Sequence, residues 1–128
     1  MDIDLLSYDL ENVFPVPLMW RQVLGDIALA FNAPNPSVTL RIIERVRFRE
    51  GIIDISLEQI KDYPASRVSV GPKTWESSIY LWQEGYWDVL VDLHIDDEID
   101  CVSDLILPVR VTNVDGYMWF DPNFIHVP

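Results

Sequence analysis

After Thr74 the sequence alternates between apolar and polar residues with a period of two, and this limits the fold more than any other feature. The pattern is typical of β-strands that bury one face and expose the other. It predicts strands at residues 79–83, 86–96, 103–112 and 117–126. Because the connections between them are short, consecutive strands should be antiparallel neighbours in a meander of about four strands.

The strand at 86–96 shows most clearly how the two faces differ. Its odd-numbered residues from Trp87 to Ile95 are all apolar, and they form the predicted core face. Its even-numbered residues from Asp88 to Asp96 are mostly polar, and they form the predicted outer face.

A loop at 97–101 would determine the register between this strand and the next. The pairs that it predicts are Val91 with Leu107, Leu93 with Leu105, Asp88 with Arg110, and His94 with Asp104. Through a turn at Asp115 and Gly116, Asp121 would face Arg110 from the other side, so the polar residues gain cross-strand partners. Pro108 predicts a bulge or an interrupted ladder, because proline has no amide hydrogen to donate.

The first half of the chain has helical periodicity. Pro17 suits the first position of a helix, and the apolar stripe on residues 17–31 predicts an amphipathic helix that packs on the sheet. Its members are Trp20, Val23, Leu24, Ile27, Ala28 and Phe31. Ser56 and Gln59 resemble a capping box and predict a short helix from residue 57 to residue 62 or 63. Residues 38–49 fit a strand and a helix about equally well, with helix favoured.

Together these elements predict a single α+β domain over residues 1–128, with the helices packed on one face of the antiparallel sheet. The outer face carries apolar residues beside its acids, which is unusual for a plain solvent surface. They are Ile79, Leu81, Leu90, Ile106, Tyr117 and Trp119. Residues 1–16 are expected to cover them, and a partner protein is the alternative.

The formal net charge of −12 argues against nucleic acid and anionic membranes as direct partners, and it favours a basic protein. Residues 77–128 hold ten acids and a single base, Arg110. Solubility alone would also explain such a charge. A lone cysteine, the lack of an N-terminal signal pattern and the lack of any uncharged apolar run of about 18 residues predict a cytoplasmic protein.

Candidate catalytic and metal-binding residues are few. Asp92, His94 and Asp96 share one strand face and would suit a metal or an acid–base pair, although a solvated face explains them as well. A calcium loop starting at Asp96 fails, because Cys101 stands where the turn needs glycine. The acids around Cys101 disfavour its thiolate. We therefore expect no catalytic residue, no metal and no cofactor.

Several stretches resemble an uncharacterised bacterial family. They are TWESSIYLW (74–82), GYWDVLVDL (85–93), VSDLILPVRV (102–111) and IHVP (125–128), together with WRQVLGDIALAF (20–31) and DYP (62–64). The resemblance implies a bacterial protein of one domain and supplies no catalytic residues. In size and charge the chain is also similar to immunity proteins, which neutralise toxins, but only by analogy.

The leading functional hypothesis is an immunity or inhibitor protein that occludes a basic toxin, with a nuclease as one candidate. The residues expected to bind this partner are Asp92, His94, Asp96, Asp97, Glu98, Asp100, Asp104, Tyr117 and Trp119. In this hypothesis the acids steer association and the two aromatic residues are buried anchors. One alternative is a ligand-binding or enzymatic domain that uses Asp92 and His94 in a helix–sheet pocket lined by Trp20, Trp82 and Trp87. Another is an interaction or structural subunit that dimerises through its outer face. The sequence leaves the oligomeric state open.

Overall fold

The computed structural model describes residues 6–63, 67–95 and 102–128, and within them the chain has an α+β fold. The helices are α1 Leu18–Ala30, α2 Pro36–Arg41, α3 Gly51–Ile60 and α4 Pro72–Ser77. The strands are β1 Phe14–Pro15, β2 Val68–Ser69, β3 Ile79–Trp82, β4 Trp87–Ile95, β5 Val102–Val114 and β6 Tyr117–Pro122. No helix in these ranges is long and apolar enough to cross a membrane.

The strands form one antiparallel sheet in the order β1-β3-β4-β5-β6, and β2 pairs with the last residues of β4. The predicted meander from β3 to β6 is confirmed, including its turn at Asp115–Gly116, and Glu84 and Gly85, both with positive φ, lie between β3 and β4. β1 and β2 were not predicted, because each strand has only two residues and this is too few to show a period of two.

The core lies between the inner face of the sheet and the helices. As predicted, the odd-numbered residues from Trp87 to Ile95 are buried, and so are their neighbours on β5 from Leu105 to Val111. Trp20 of α1 is fully buried against this face, with its ring centroid 5.8 Å from that of Trp87 in an edge-to-face arrangement. Aromatic pairs of this geometry add stability beyond their buried area.

Helix α1 follows Pro17 directly and matches the predicted amphipathic helix within one residue at each end. Just beyond it, Asn32 ties the end of the helix to β2. Its Nδ2 donates to the carbonyl oxygen of Val68 (2.6 Å), and the amide of Val68 donates to its Oδ1 (2.9 Å). One side chain thereby satisfies both backbone groups of a strand residue, as a neighbouring strand would.

The capping-box prediction at Ser56 is wrong, since α3 already begins at Gly51. Ser56 lies inside this helix and is fully buried. Its Oγ accepts a hydrogen bond from the amide of Ile125 (2.8 Å), so it fastens the C-terminal segment to α3 instead of capping a helix. A serine three residues before a glutamine can either cap a helix or lie inside one, and the sequence pattern is the same in both cases.

Both readings of residues 38–49 are partly correct. The favoured helix exists only as far as Arg41, in α2, and Val46 then forms a parallel bridge with Phe120 at the edge of β6. The sequence pattern does not predict helix α4, Pro72–Ser77, because the alternation of apolar and polar residues begins at Thr74. Thr74 lies inside this helix, and its Oγ1 accepts from the amide of Gly71 (3.0 Å).

The predicted register of β4 and β5 is confirmed from Asp88, opposite Arg110, to Asp92, opposite Ile106. It then shifts, and His94 lies opposite Val102, so its predicted pairing with Asp104 is wrong. Ser103 explains the shift, because its Oγ donates to the carbonyl oxygen of Leu93 (2.7 Å) and accepts from the amide of Leu105 (3.1 Å). These bonds replace the regular ladder with a bulge.

The expectation that the N-terminal segment covers the outer face is wrong for residues 6–16. The amide of Ser7 donates to the Tyr80 hydroxyl (2.9 Å), and Trp87 Nε1 donates to the carbonyl oxygen of Ser7 (2.9 Å). The ring of Tyr8 packs on Trp82, with 4.9 Å between centroids. Since Tyr80 and Trp87 belong to the core face, this segment extends the core.

Candidate binding surface on the outer sheet face

The outer face consists of the β3–β6 side chains that point away from the core. Its apolar members Ile79, Leu81, Leu90, Ile106 and Trp119 are half-buried, and Tyr117 is 56% exposed. On the inner face the corresponding apolar residues of β4 and β5 are almost completely buried. The described elements therefore leave a partly apolar surface in contact with solvent, which marks a candidate binding site.

Three arginines lie over aromatic rings on this side of the sheet. The guanidinium carbon of Arg110 is 3.8 Å from the ring centroid of Tyr86. The corresponding distances are 4.5 Å from Arg45 to Tyr117 and 5.3 Å from Arg47 to Trp119. Arginine, tyrosine and tryptophan are the residue types that dominate binding energy at protein interfaces.

Arg110 lies between Asp88 and Asp121 in the sheet, as the register predicted. The ion pair, however, forms elsewhere, because Asp121 Oδ1 accepts from Arg47 Nε at 2.7 Å. Among the described residues no carboxylate lies within 4.0 Å of the guanidinium of Arg110. Its guanidinium instead lies over the ring of Tyr86.

A cavity of about 590 Å³ opens beside these groups, where residues 47–49 meet β5 and the end of β6. Its charged lining residues are Arg47, Arg49, Arg110, Asp88 and Asp121. Phe48 and Pro108 contribute apolar wall. The cavity therefore combines several hydrogen-bond donors with apolar surface, as small-molecule binding sites do.

The opposite end of β5 is acidic. Asp104 is exposed and accepts a hydrogen bond from the Tyr63 hydroxyl. The pKa of Tyr63 is raised to about 12. The main cause is partial burial of the phenol, and the hydrogen bond to Asp104 and the negative charge of Asp104 add to it. Asp92 lies on the same outer face and is half-buried, opposite Ile106.

His94 does not lie on the open part of the outer face, since only 3% of it is exposed. Gly71 lies against its imidazole ring, so close that a Cβ at this glycine would be 3.4 Å from the ring. Neither His94 nor Asp92 lines the cavity. In the described ranges no group of three or more His, Cys, Asp or Glu residues is placed to hold a metal ion.

The structure separates the residues that were expected to form one site. Trp119 pairs with Thr112, and Asp104 is eight residues before Thr112 on β5, roughly 26 Å away. Four of the expected residues, Asp96, Asp97, Glu98 and Asp100, lie outside the described residues, as does Cys101. The aromatic and acidic groups therefore mark opposite ends of the sheet.

Sequence reasoning missed the arginines of the outer face. The signal was present, since Arg45, Arg47 and Arg49 alternate as they would in a strand, and Arg110 is the one base among residues 77–128. Arg45 and Arg47 are held at the sheet edge by backbone hydrogen bonds to Phe120 in both directions. This pairing also covers the outer edge of β6, which would otherwise present unpaired backbone groups.

These features define the class of this protein. It has an α+β fold with an open antiparallel sheet, and one face of that sheet is partly exposed. Residues 42–128 match the domain of unknown function DUF7668, and the chain belongs to this family. The expected membership of an uncharacterised domain family is thereby confirmed.

A further similarity is to the RNA replication protein of Narcissus mosaic virus, which is 32% identical over 73 residues. The match covers 57% of this chain but only 4% of the viral protein. No solved structure matches the chain.

Proposed function

We propose that this protein is a non-catalytic binding protein that occludes a basic protein partner with its outer sheet face. The observation that carries the proposal is the partial exposure of that face, where Trp119 and Leu90 are half-buried and Tyr117 is exposed. The class of partner that suits it best is a bacterial toxin domain, with the present chain as its cytoplasmic immunity protein.

The charge of the molecule supports a basic partner. A net charge of −12 attracts cations over several ångströms and accelerates encounter with a positively charged protein. The acidic end of β5, with Asp104 and Asp92, would steer this encounter. The arginine–aromatic pairs at the other end would supply the buried anchors, because tyrosine and tryptophan have few rotatable bonds and therefore lose little conformational freedom on binding.

A contact that uses both ends is compatible with the usual size of an interface. Specific complexes bury about 800 Å² on each partner. A sheet face of roughly 26 Å by four strands spaced about 4.8 Å apart covers roughly 500 Å² in projection, so an interface of this size would use the whole face and its rim. The proposal therefore expects contributions from Trp119 and from Asp104, despite their separation.

The test starts by isolating partners from the native cell with the wild-type chain and with Trp119→Ala. The same isolation with Leu18→Ala is the matched control, because Leu18 is 78% exposed on α1, away from the sheet face. We expect a basic protein that wild type and Leu18→Ala retain and Trp119→Ala loses.

The association rate of that purified partner is then measured from about 50 to about 300 mM NaCl. We expect nanomolar or tighter binding with a rate that falls steeply with salt, and a smaller slope for Asp104→Asn than for the exposed control Glu76→Gln. A salt-independent rate, or equal losses for Trp119→Ala and Leu18→Ala, would refute the proposal.

A further inference from the structure

The outer-face cavity concentrates positive charge in a strongly acidic protein. Three of its lining residues are arginines, and two are aspartates. One aspartate is neutralised, because Asp121 pairs with Arg47 at 2.7 Å. That leaves Arg49, Arg110 and Asp88, so the cavity retains an excess of positive charge in a chain whose net charge is −12.

The two remaining arginines are available to a ligand. No carboxylate of the described residues lies within 4.0 Å of the guanidinium of Arg49 or of Arg110. The guanidinium carbon of Arg110 lies 3.8 Å from the ring centroid of Tyr86, and this contact restricts the side chain before a ligand arrives. The planar fork of N–H groups of an arginine matches the two oxygens of a carboxylate or phosphate.

The remaining walls indicate what is attached to the anionic group. Phe48, Pro108 and Pro122 present apolar surface in the same cavity. The volume of about 590 Å³ lies within the range of about 300–1,000 Å³ that is typical of small-molecule sites. A ligand with an anionic head and a compact apolar body would use both parts.

We propose that this cavity binds a small molecule with an oxyanion group, either a carboxylate or a phosphate, attached to an apolar body. Arg49 and Arg110 would bind the oxyanion. The cavity shares Arg47 and Arg110 with the outer face proposed above to bind a protein, but the present proposal does not rest on that partner, because its ligand is a small molecule. It also differs from a helix–sheet pocket with Asp92 and His94, because neither residue lines it.

The experiment titrates the full chain with phenyl phosphate, benzoate and inorganic phosphate, and follows binding by calorimetry and by the side-chain NMR signals of the arginines. We expect saturable binding of phenyl phosphate or benzoate, tighter than that of inorganic phosphate, which lacks the apolar body. The stronger of the two aromatic probes identifies the preferred oxyanion. Arg110→Gln and Arg49→Gln should each weaken binding about tenfold, the usual effect of losing one charge-assisted hydrogen bond.

Lys73→Gln is the matched control, because Lys73 is an exposed cation on α4 and does not line the cavity. It should leave affinity unchanged within about twofold. Arg49 is exposed and lies outside the core, so Arg49→Gln tests the site even where Arg110→Gln disturbs the sheet. Absence of saturable binding of both aromatic probes up to about 10 mM, or equal weakening by Lys73→Gln and Arg49→Gln, overturns the proposal.

Discussion

Tyr63 and Asp104 show how a single contact connects two parts of the chain at the acidic end of the sheet. Tyr63 follows α3, Asp104 lies on β5, and the phenol donates to the carboxylate. Burial and the adjacent negative charge both favour the protonated phenol, so the pKa of Tyr63 rises from 10.0 to about 12. The contact therefore makes stability depend on pH in the alkaline range.

The direction of this dependence follows from the raised pKa. The unfolded chain releases the Tyr63 proton near pH 10 and the folded chain near pH 12, so the stabilisation is complete below pH 10 and disappears as the pH approaches 12. We expect Tyr63→Phe to lower the free energy of unfolding by about 1 kcal/mol at neutral pH. Urea unfolding at intervals above about pH 9 should show the difference between wild type and Tyr63→Phe shrinking. A difference that stays constant to pH 12 would contradict the assignment.

Arg110 shows which properties of a single residue the sequence predicts and which it does not. Its position between Asp88 and Asp121 followed from alternation and turn length. Its lack of an ion pair within the described part of the chain did not, because Arg47, from a segment that fits a strand and a helix about equally well, pairs with Asp121 instead. Competition among three nearby charges depends on tertiary position, which a strand pattern does not encode.

Among the elements, the turn between β5 and β6 depends most directly on residue type. Asp115 and Gly116 both have positive φ, 53° and 87°. Two successive positive values suit the right-handed twist of a hairpin, and an Asp-Gly pair adopts them at the lowest cost. This turn determines that Val114 pairs with Tyr117. It thereby positions the aromatic residues at this end of the outer face.

We expect Gly116→Ala to lower the free energy of unfolding by about 1 kcal/mol, because a Cβ disfavours the left-handed conformation. The matched control is Gly51→Ala at the start of α3, where φ is not positive and an added Cβ meets nothing within 4 Å. That control should instead raise stability by up to about 1 kcal/mol. Chemical unfolding of both variants measures the two signs, and a stabilising Gly116→Ala would exclude the assigned turn.

The elements also show where prediction by pattern stops. Long periodic segments such as α1 and β4 were predicted within one or two residues, because periodicity sums over many positions. The register failed after Asp92, because the bulge depends on one side-chain hydroxyl, that of Ser103. Short elements such as β2 depend on tertiary partners, here the side chain of Asn32.

For the whole molecule, the structure changes how the expected binding residues combine. The sequence grouped acids and aromatics on one sheet face, and the face is as expected for Asp92 and Trp119. The two groups nevertheless lie at opposite ends of β5, and strand alternation could not show that His94 is buried beside Gly71. Burial on an outer face depends on an element elsewhere in the sequence, and strand alternation carries no information about it.

The net charge of −12 also has a consequence for stability. The described ion pairs are Arg41–Glu50, Arg45–Glu44, Arg47–Asp121 and Lys61–Glu58, and most of their side chains are well exposed. Exposed pairs of this kind contribute about 0–1 kcal/mol each. Folding brings the excess acids closer together than in the extended chain, so repulsion should outweigh these attractions.

We therefore expect the free energy of unfolding at neutral pH to rise by on the order of 1 kcal/mol between about 10 and about 200 mM NaCl, as the screening length falls from about 30 to below 10 Å. Urea is the suitable denaturant, because guanidinium chloride would itself screen the charges. The same comparison near the sequence pI of 4.2, where the net charge vanishes, should show a much smaller effect. If stability instead falls with salt at neutral pH, the paired charges outweigh the repulsion, and the excess acids lie far enough apart to cost the fold little.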